Sequence, residues 1–137
     1  MAQITYLELS KRDYKFAKDM MQHNNYNPCG RFCQQSVEKR LKHYIEQNGD
    51  GQDIGLLGTH NLRKIYERVC KLANISVDRA MRTALVELTS YYYDTNYPGE
   101  SYIELTKEDA TFALQLCEEV NGWIDELTTN PPTEVTT

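Results

Sequence analysis

Tryptophan occurs once, phenylalanine three times and proline four times in 137 residues, and no long uninterrupted apolar run is present. A membrane-crossing helix needs about 18 apolar residues in a row, so none is expected. No charged start followed by an apolar core marks a secretion signal, and the expected location is the cytoplasm. Cysteine is limited to Cys29, Cys33, Cys70 and Cys117, without the tight spacing of a disulfide scaffold, so four thiols packed as small core hydrophobes are expected. Basic residues are outnumbered, 15 Lys and Arg against 20 Asp and Glu. The net charge of -5 provides no global field to attract nucleic acid or an anionic membrane, and any such binding must be local.

What is present is an ordinary globular mixture, 40% hydrophobic and 26% charged, on a chain sized for one core. The reading is a single helical domain over 1–127 with a flexible Thr/Pro-rich tail over 128–137. Tyr14, Ala17, Met20 and Met21 recur at helical spacing after a Ser10-x-x-Asp13 start signal, predicting a helix over 11–23. Asn27 as cap and Pro28 at the first helical position predict a second helix to about residue 48. Its apolar side is Cys33, Val37, Leu41, Tyr44 and Ile45, while Arg31, Gln35, Glu38 and Lys42 form a wholly polar stripe. Residues 48–59 hold four of the seven glycines and read as a flexible loop. Leu62, Ile65, Tyr66, Val69, Leu72 and Ala73 predict a third helix. A fourth, capped by Ser76, follows from Val77, Ala80, Met81, Ala84, Leu85, Leu88, Tyr91 and Tyr92. Pro98 and Gly99 break the chain, and a Thr106–Asp109 box opens a last helix with Ala110, Ala113, Leu114, Cys117, Val120, Ile124 and Leu127 inward. With no alternating strand pattern, the fold class is all-α, an antiparallel up-and-down bundle of four to five helices.

Three elements then stand in order along the chain: Phe32 with Gln35-x-x-Glu38-Lys39-x-Leu41-Lys42, Thr59-His60-Asn61-Leu62, and Asp94-x-x-Tyr97-Pro98-Gly99. This arrangement resembles the HEPN family, the "higher eukaryotes and prokaryotes nucleotide-binding" domains, over roughly residues 7–127. In that family the second helix carries an aromatic and Q-x-x-E-K-x-x-K, a His-x-Leu begins the third helix, and an R-Y-P loop precedes the last. Two departures matter. Asn96 stands where the family has the Arg of R-Y-P, which removes a guanidinium that forks onto phosphate. The Arg-x4–6-His pair of ribonuclease members is absent around His23, His43 and His60, so no nuclease machinery is expected.

The ligand-binding candidates are Arg31, Gln35, Glu38, Lys42, His60 and Tyr97. Arg31 and Lys42 suit anionic phosphates, and Gln35 and Glu38 suit the hydrogen-bonding edge of a base or sugar. For Glu38 and Lys42, four residues apart, a solvated surface bridge is the competing reading. His60 either contacts a ligand or caps and packs beside its helix. Tyr97 either stacks on a ligand or partner, or fills the end of the bundle. The cluster Tyr91, Tyr92, Tyr93 and Tyr97 fits a homodimer contact or groove, with Tyr91 and Tyr92 also continuing the apolar spacing. Cys29, Cys33 and His23 lack a second paired cluster, so no metal is expected. The segment Gly49-x-Gly51-x-x-x-Gly55 lacks the strand and Gly-Lys-Ser/Thr ending of a phosphate cradle.

The resulting expectation is a non-catalytic HEPN-like module, without cofactor, that binds a nucleotide or polyanion. The resemblance implies a partner such as a minimal nucleotidyltransferase, in a toxin-antitoxin-like or split-transferase arrangement. The alternatives are a purely structural dimeric interaction protein, and a ribonuclease with a degenerate site built on Arg40, His43 or His60.

Overall fold

In a computed structural model, residues 3–131 are described, with the side chain of Gln52 excepted. They form six helices: α1 (Tyr6–Gln22), α2 (Tyr26–Asn48), the single-turn α3 (Ile54–Leu57), α4 (Leu62–Ala73), α5 (Arg79–Asp94) and α6 (Lys107–Thr129). Among the described residues there is no strand, and no helix is long and apolar enough to cross a membrane. The expected tail lies mostly outside the described residues, and Thr128 and Thr129 extend α6 instead.

Helix starts follow side-chain chemistry, with several shifted from expectation. Thr5 and Glu8 make the capping box of α1, so that helix begins five residues earlier than predicted. Ser10 and Asp13 are instead buried within it, where Ser10 bonds Ser36 and Asp13 pairs with Lys39 of α2. Asp78, not Ser76, caps α5 through the Met81 N–H. The Thr106–Asp109 box opens α6 as read from the sequence. The glycine-rich stretch contains a 3-10 turn (Gly51–Asp53) and α3, and the Asp53 carboxylate is forked onto Arg68 of α4 at 2.7 and 3.2 Å.

The organising element is α2, which packs against α1, α4, α5 and α6. Its apolar positions Cys33, Val37, Leu41, Tyr44 and Ile45 are buried, as expected, against Ile65, Val69, Leu85, Leu88, Cys117, Val120 and Ile124. All four cysteines are buried and free. Because neighbours surround α2, the helix also buries Gln34, Ser36, Glu38, Arg40 and Lys42, and buried polar groups need partners. Those partners build the site.

Candidate functional site

Glu38 is the hub. Its carboxylate, on a residue 3% exposed, accepts from Lys42 Nζ at 2.9 Å through Oε2, and from Gln34 Nε2 at 3.1 Å and His60 Nδ1 at 2.8 Å through Oε1. Lys42 is itself 4% exposed. The pair is therefore not a solvated bridge: an isolated carboxylate would be costly there, and the ammonium and imidazole offset that cost. Gln34 reaches further, donating to the His60 carbonyl at 3.1 Å and accepting from Gln35 Nε2 at 2.6 Å.

His60 is held at backbone and ring, ahead of the cap of α4, which is Asn61. A carboxylate only accepts, so Nδ1 carries the hydrogen toward Glu38. The opposite nitrogen, Nε2, makes no hydrogen bond to a described residue, and the side chain is 40% exposed. One face lies against the Tyr92 ring, centroids 5.0 Å apart at 34°, and Tyr93 meets it edge-on at 6.4 Å. The Tyr92 phenol is pushed above its ordinary range by burial, then by its proximity to Tyr97, Glu38 and Tyr93. Tyr92 thus stands between the Glu38 cluster and the Tyr97 corner.

At that corner Arg31 Nη1 donates to the carbonyl of Thr95 at 3.0 Å and its hydroxyl at 3.2 Å, pinning the end of α5 to α2. Its Nε and Nη2 make no hydrogen bond to a described residue. Tyr97 is 58% exposed and, with Pro98, Gly99 and Tyr102, borders a shallow recess of about 340 Å³. Gly99 turns the chain at φ +137°, a conformation that side-chain-bearing residues rarely adopt. Of the six sequence candidates, Glu38, Lys42 and His60 form one contiguous cluster. Gln35 joins it through Gln34, and Arg31 and Tyr97 sit at the adjoining corner.

Gln34, Tyr92 and Thr95 were not among those candidates. Gln34 looks like any helical glutamine until α4 is docked beside it, and the Arg31 acceptor is a backbone carbonyl, which no side-chain pattern encodes. In the tyrosine cluster, Tyr91 is core, Tyr92 is half-buried, and Tyr93 and Tyr97 face outward.

Among the described residues no three His, Cys, Asp or Glu side chains gather where they could hold a metal ion. His23 instead bonds the carbonyl of Asp19.

A helical bundle organised round a central helix, with a Lys–Glu–His cluster opening beside a Tyr-Pro corner, defines the class of domain. Its family follows from comparison: residues 5–127 match the HEPN domain, and the chain belongs to that family. The fold is shared with the crystal structure of TT1696 from Thermus thermophilus, with a TM-score of 0.70 at 19% identity, covering 88% of this chain and 94% of that one. It is also shared with ST0689, described as an archaeal HEPN homologue, with a TM-score of 0.61 at 18% identity, covering 88% of this chain and 92% of the other. No curated protein matches the chain in a sequence search.

Proposed function

We propose that this HEPN domain is a non-catalytic module that binds a nucleotide or related polyanion on the His60 face and acts beside a partner such as a minimal nucleotidyltransferase. The observation that carries the reading is His60 itself, fixed through Nδ1 by a buried carboxylate while Nε2, beside the Tyr92 ring, makes no hydrogen bond to a described residue. In this reading His60 and the unused Nε and Nη2 of Arg31 meet phosphate oxygens, and Tyr97 stacks on the base. Gln35 supplies its carbonyl to the ligand's polar edge. Glu38 and Lys42 act from beneath, holding the imidazole in orientation. The exposed rings of Tyr93, Tyr97 and Tyr102 suit a homodimer or partner contact next to this face.

Calorimetry with a panel of nucleotides tests the reading. Saturable binding lost in His60→Ala and weakened in Arg31→Ala, with both variants still helical and folding cooperatively at the assay temperature, is the expected result. Thermal silence across the panel alongside a stable dimer would replace it with the pure interaction protein.

A ribonuclease is the second reading, favoured by the same Glu38–His60 pair. A carboxylate that orients an imidazole whose second nitrogen is open is an arrangement suited to general-base chemistry. The Arg-x4–6-His pair is missing from the sequence, so the non-catalytic reading ranks first. Cleavage of bulk RNA that disappears in His60→Ala would reverse that order.

A further inference from the structure

A second cavity lies away from the His60 face. It is a groove of about 450 Å³ between α4, α5 and α6, of the size small-molecule sites have. Part of its wall was expected to be core: Ala80 falls on the periodic apolar side of α5 yet is exposed, because the first turn of that helix overhangs the groove instead of packing. Trp123 and Met81 are half-buried along its wall, and the buried Tyr66 ring, with its centroid 5.7 Å from that of Trp123 at 59°, and buried Leu116 form its floor.

Its charged lining has one sign. Asp78 and Glu119 are both exposed carboxylates, and no lysine, arginine or histidine lines the groove. Glu119 makes no ion pair or hydrogen bond to a described residue. The N-terminus of α5 opens here and would by itself favour an anion, but the Asp78 side chain already takes the Met81 N–H at 2.9 Å. The Asp78 N–H is likewise spent, donated to the Tyr66 hydroxyl at 2.9 Å. Burial pushes the Tyr66 phenol up to about 12, so the ring stays neutral through the physiological range. Aromatic faces attract cations through their quadrupole, most strongly tryptophan, and a carboxylate at the rim adds the complementary charge.

We propose that this groove binds a small organic cation, a substituted or quaternary ammonium carried on an apolar body. The apolar part lies along Met81 and Ala84, and the cationic head sits between the Trp123 ring and the Glu119 carboxylate. Nucleotides carry the wrong charge for this groove, so the inference stands apart from the reading of the His60 face. Residues 130–137 carry Glu134 and no lysine or arginine, and so do not complement it either.

The test uses the single tryptophan as reporter. The full-length protein is titrated with benzyltrimethylammonium, following Trp123 emission and ligand-observed saturation-transfer NMR in parallel. Saturable binding is expected, with little response to the anionic analogue benzylsulfonate or to neutral benzyl alcohol. Glu119→Gln, an exposed position, weakens the cation by up to about fivefold, the upper range for an exposed charge pair. Ala84→Phe, which fills the groove, abolishes binding. No binding by either readout, equal binding of the three probes, or an unchanged affinity in Glu119→Gln would each overturn the proposal. Emission that shifts with protein concentration alone would assign the groove to a second copy of the chain and equally overturn it.

Discussion

Lys42 and Glu38, one turn apart on α2, form an ion pair that is buried at both ends, and His60 shares its carboxylate from the opposite side. A pair at this spacing on a solvated helix stabilises by a few tenths of a kcal/mol, whereas the same pair in a packed interior behaves as a unit. Removing the ammonium strands a buried carboxylate. Lys42→Met is expected to cost about 3 kcal/mol in urea unfolding, the low end for breaking a buried pair because His60 remains. The double variant Glu38→Gln/Lys42→Met is expected to recover much of that loss. A single variant as stable as the parent would remove the pair from any account of the fold.

Asn27 was expected to cap α2 and does something else. Its Oδ1 accepts from the Leu105 N–H at 2.7 Å, and its Nδ2 donates to the Ile103 carbonyl at 3.3 Å, clamping the segment that leads into α6. Asn27→Ala leaves the half-buried Leu105 N–H without an acceptor, and a loss of about 1–3 kcal/mol is expected by thermal or urea denaturation. Asn27→Asp keeps that acceptor but brings a charge toward Glu104, so its recovery is partial and greater at high salt.

Gly30 lies where α2 passes beneath the same segment. A Cβ there would stand 2.4 Å from Leu105 Cδ1 and 3.5 Å from the Tyr91 ring. Gly30→Ala therefore overpacks the core, at a cost of about 1–3 kcal/mol. Because the obstacle is a side-chain end rather than backbone, Leu105→Val is expected to relieve it in the double variant. Full additivity of the two losses would refute the contact.

His43 has a buried Nδ1 with no hydrogen-bond partner among the described residues. Desolvation lowers its pKa below 6.5, reinforced by Arg40 and Lys11 and opposed by Glu46 and Asp125. The unfolded chain therefore takes up the proton first as pH falls. The neutral ring's full stability is present above about pH 6.5 and declines between that value and the lower folded-state pKa. His43→Gln is expected to flatten the fall in melting temperature across this window while leaving the slope near pH 8 unchanged. An identical acid slope in both proteins would exclude His43 as its source.

Asp53 holds the glycine-rich connection to α4 through Arg68. Asp53→Ala is expected to speed amide exchange over residues 49–58, with the centre of α2 unaffected. Uniform exchange changes across the bundle would show that the fork supports more than the loop.

Local pattern was enough for the architecture: apolar residues at helical spacing mark all five long helices, the Thr106–Asp109 box marks the start of α6, and the inward face of α2 reads correctly, while on α4 and α6 Leu72 and Leu114 are only half-buried and Cys70 and Leu116 join the core instead. These signals come from within a turn or two of chain, where the 3.6-residue period and the terminal N–H groups act directly. Glu38, Lys42 and His60 could each be picked out from ordered motifs, but that they meet in one cluster could not. What local pattern lacked was the surroundings of α2. A helix packed on four sides buries its polar stripe, so Glu38 and Lys42 became an anchored interior pair, Gln34 a bridge to α4, and Ser10 and Asp13 contacts between helices instead of a cap. Burial depends on which helices dock around a residue, and that is decided by contacts between distant parts of the chain.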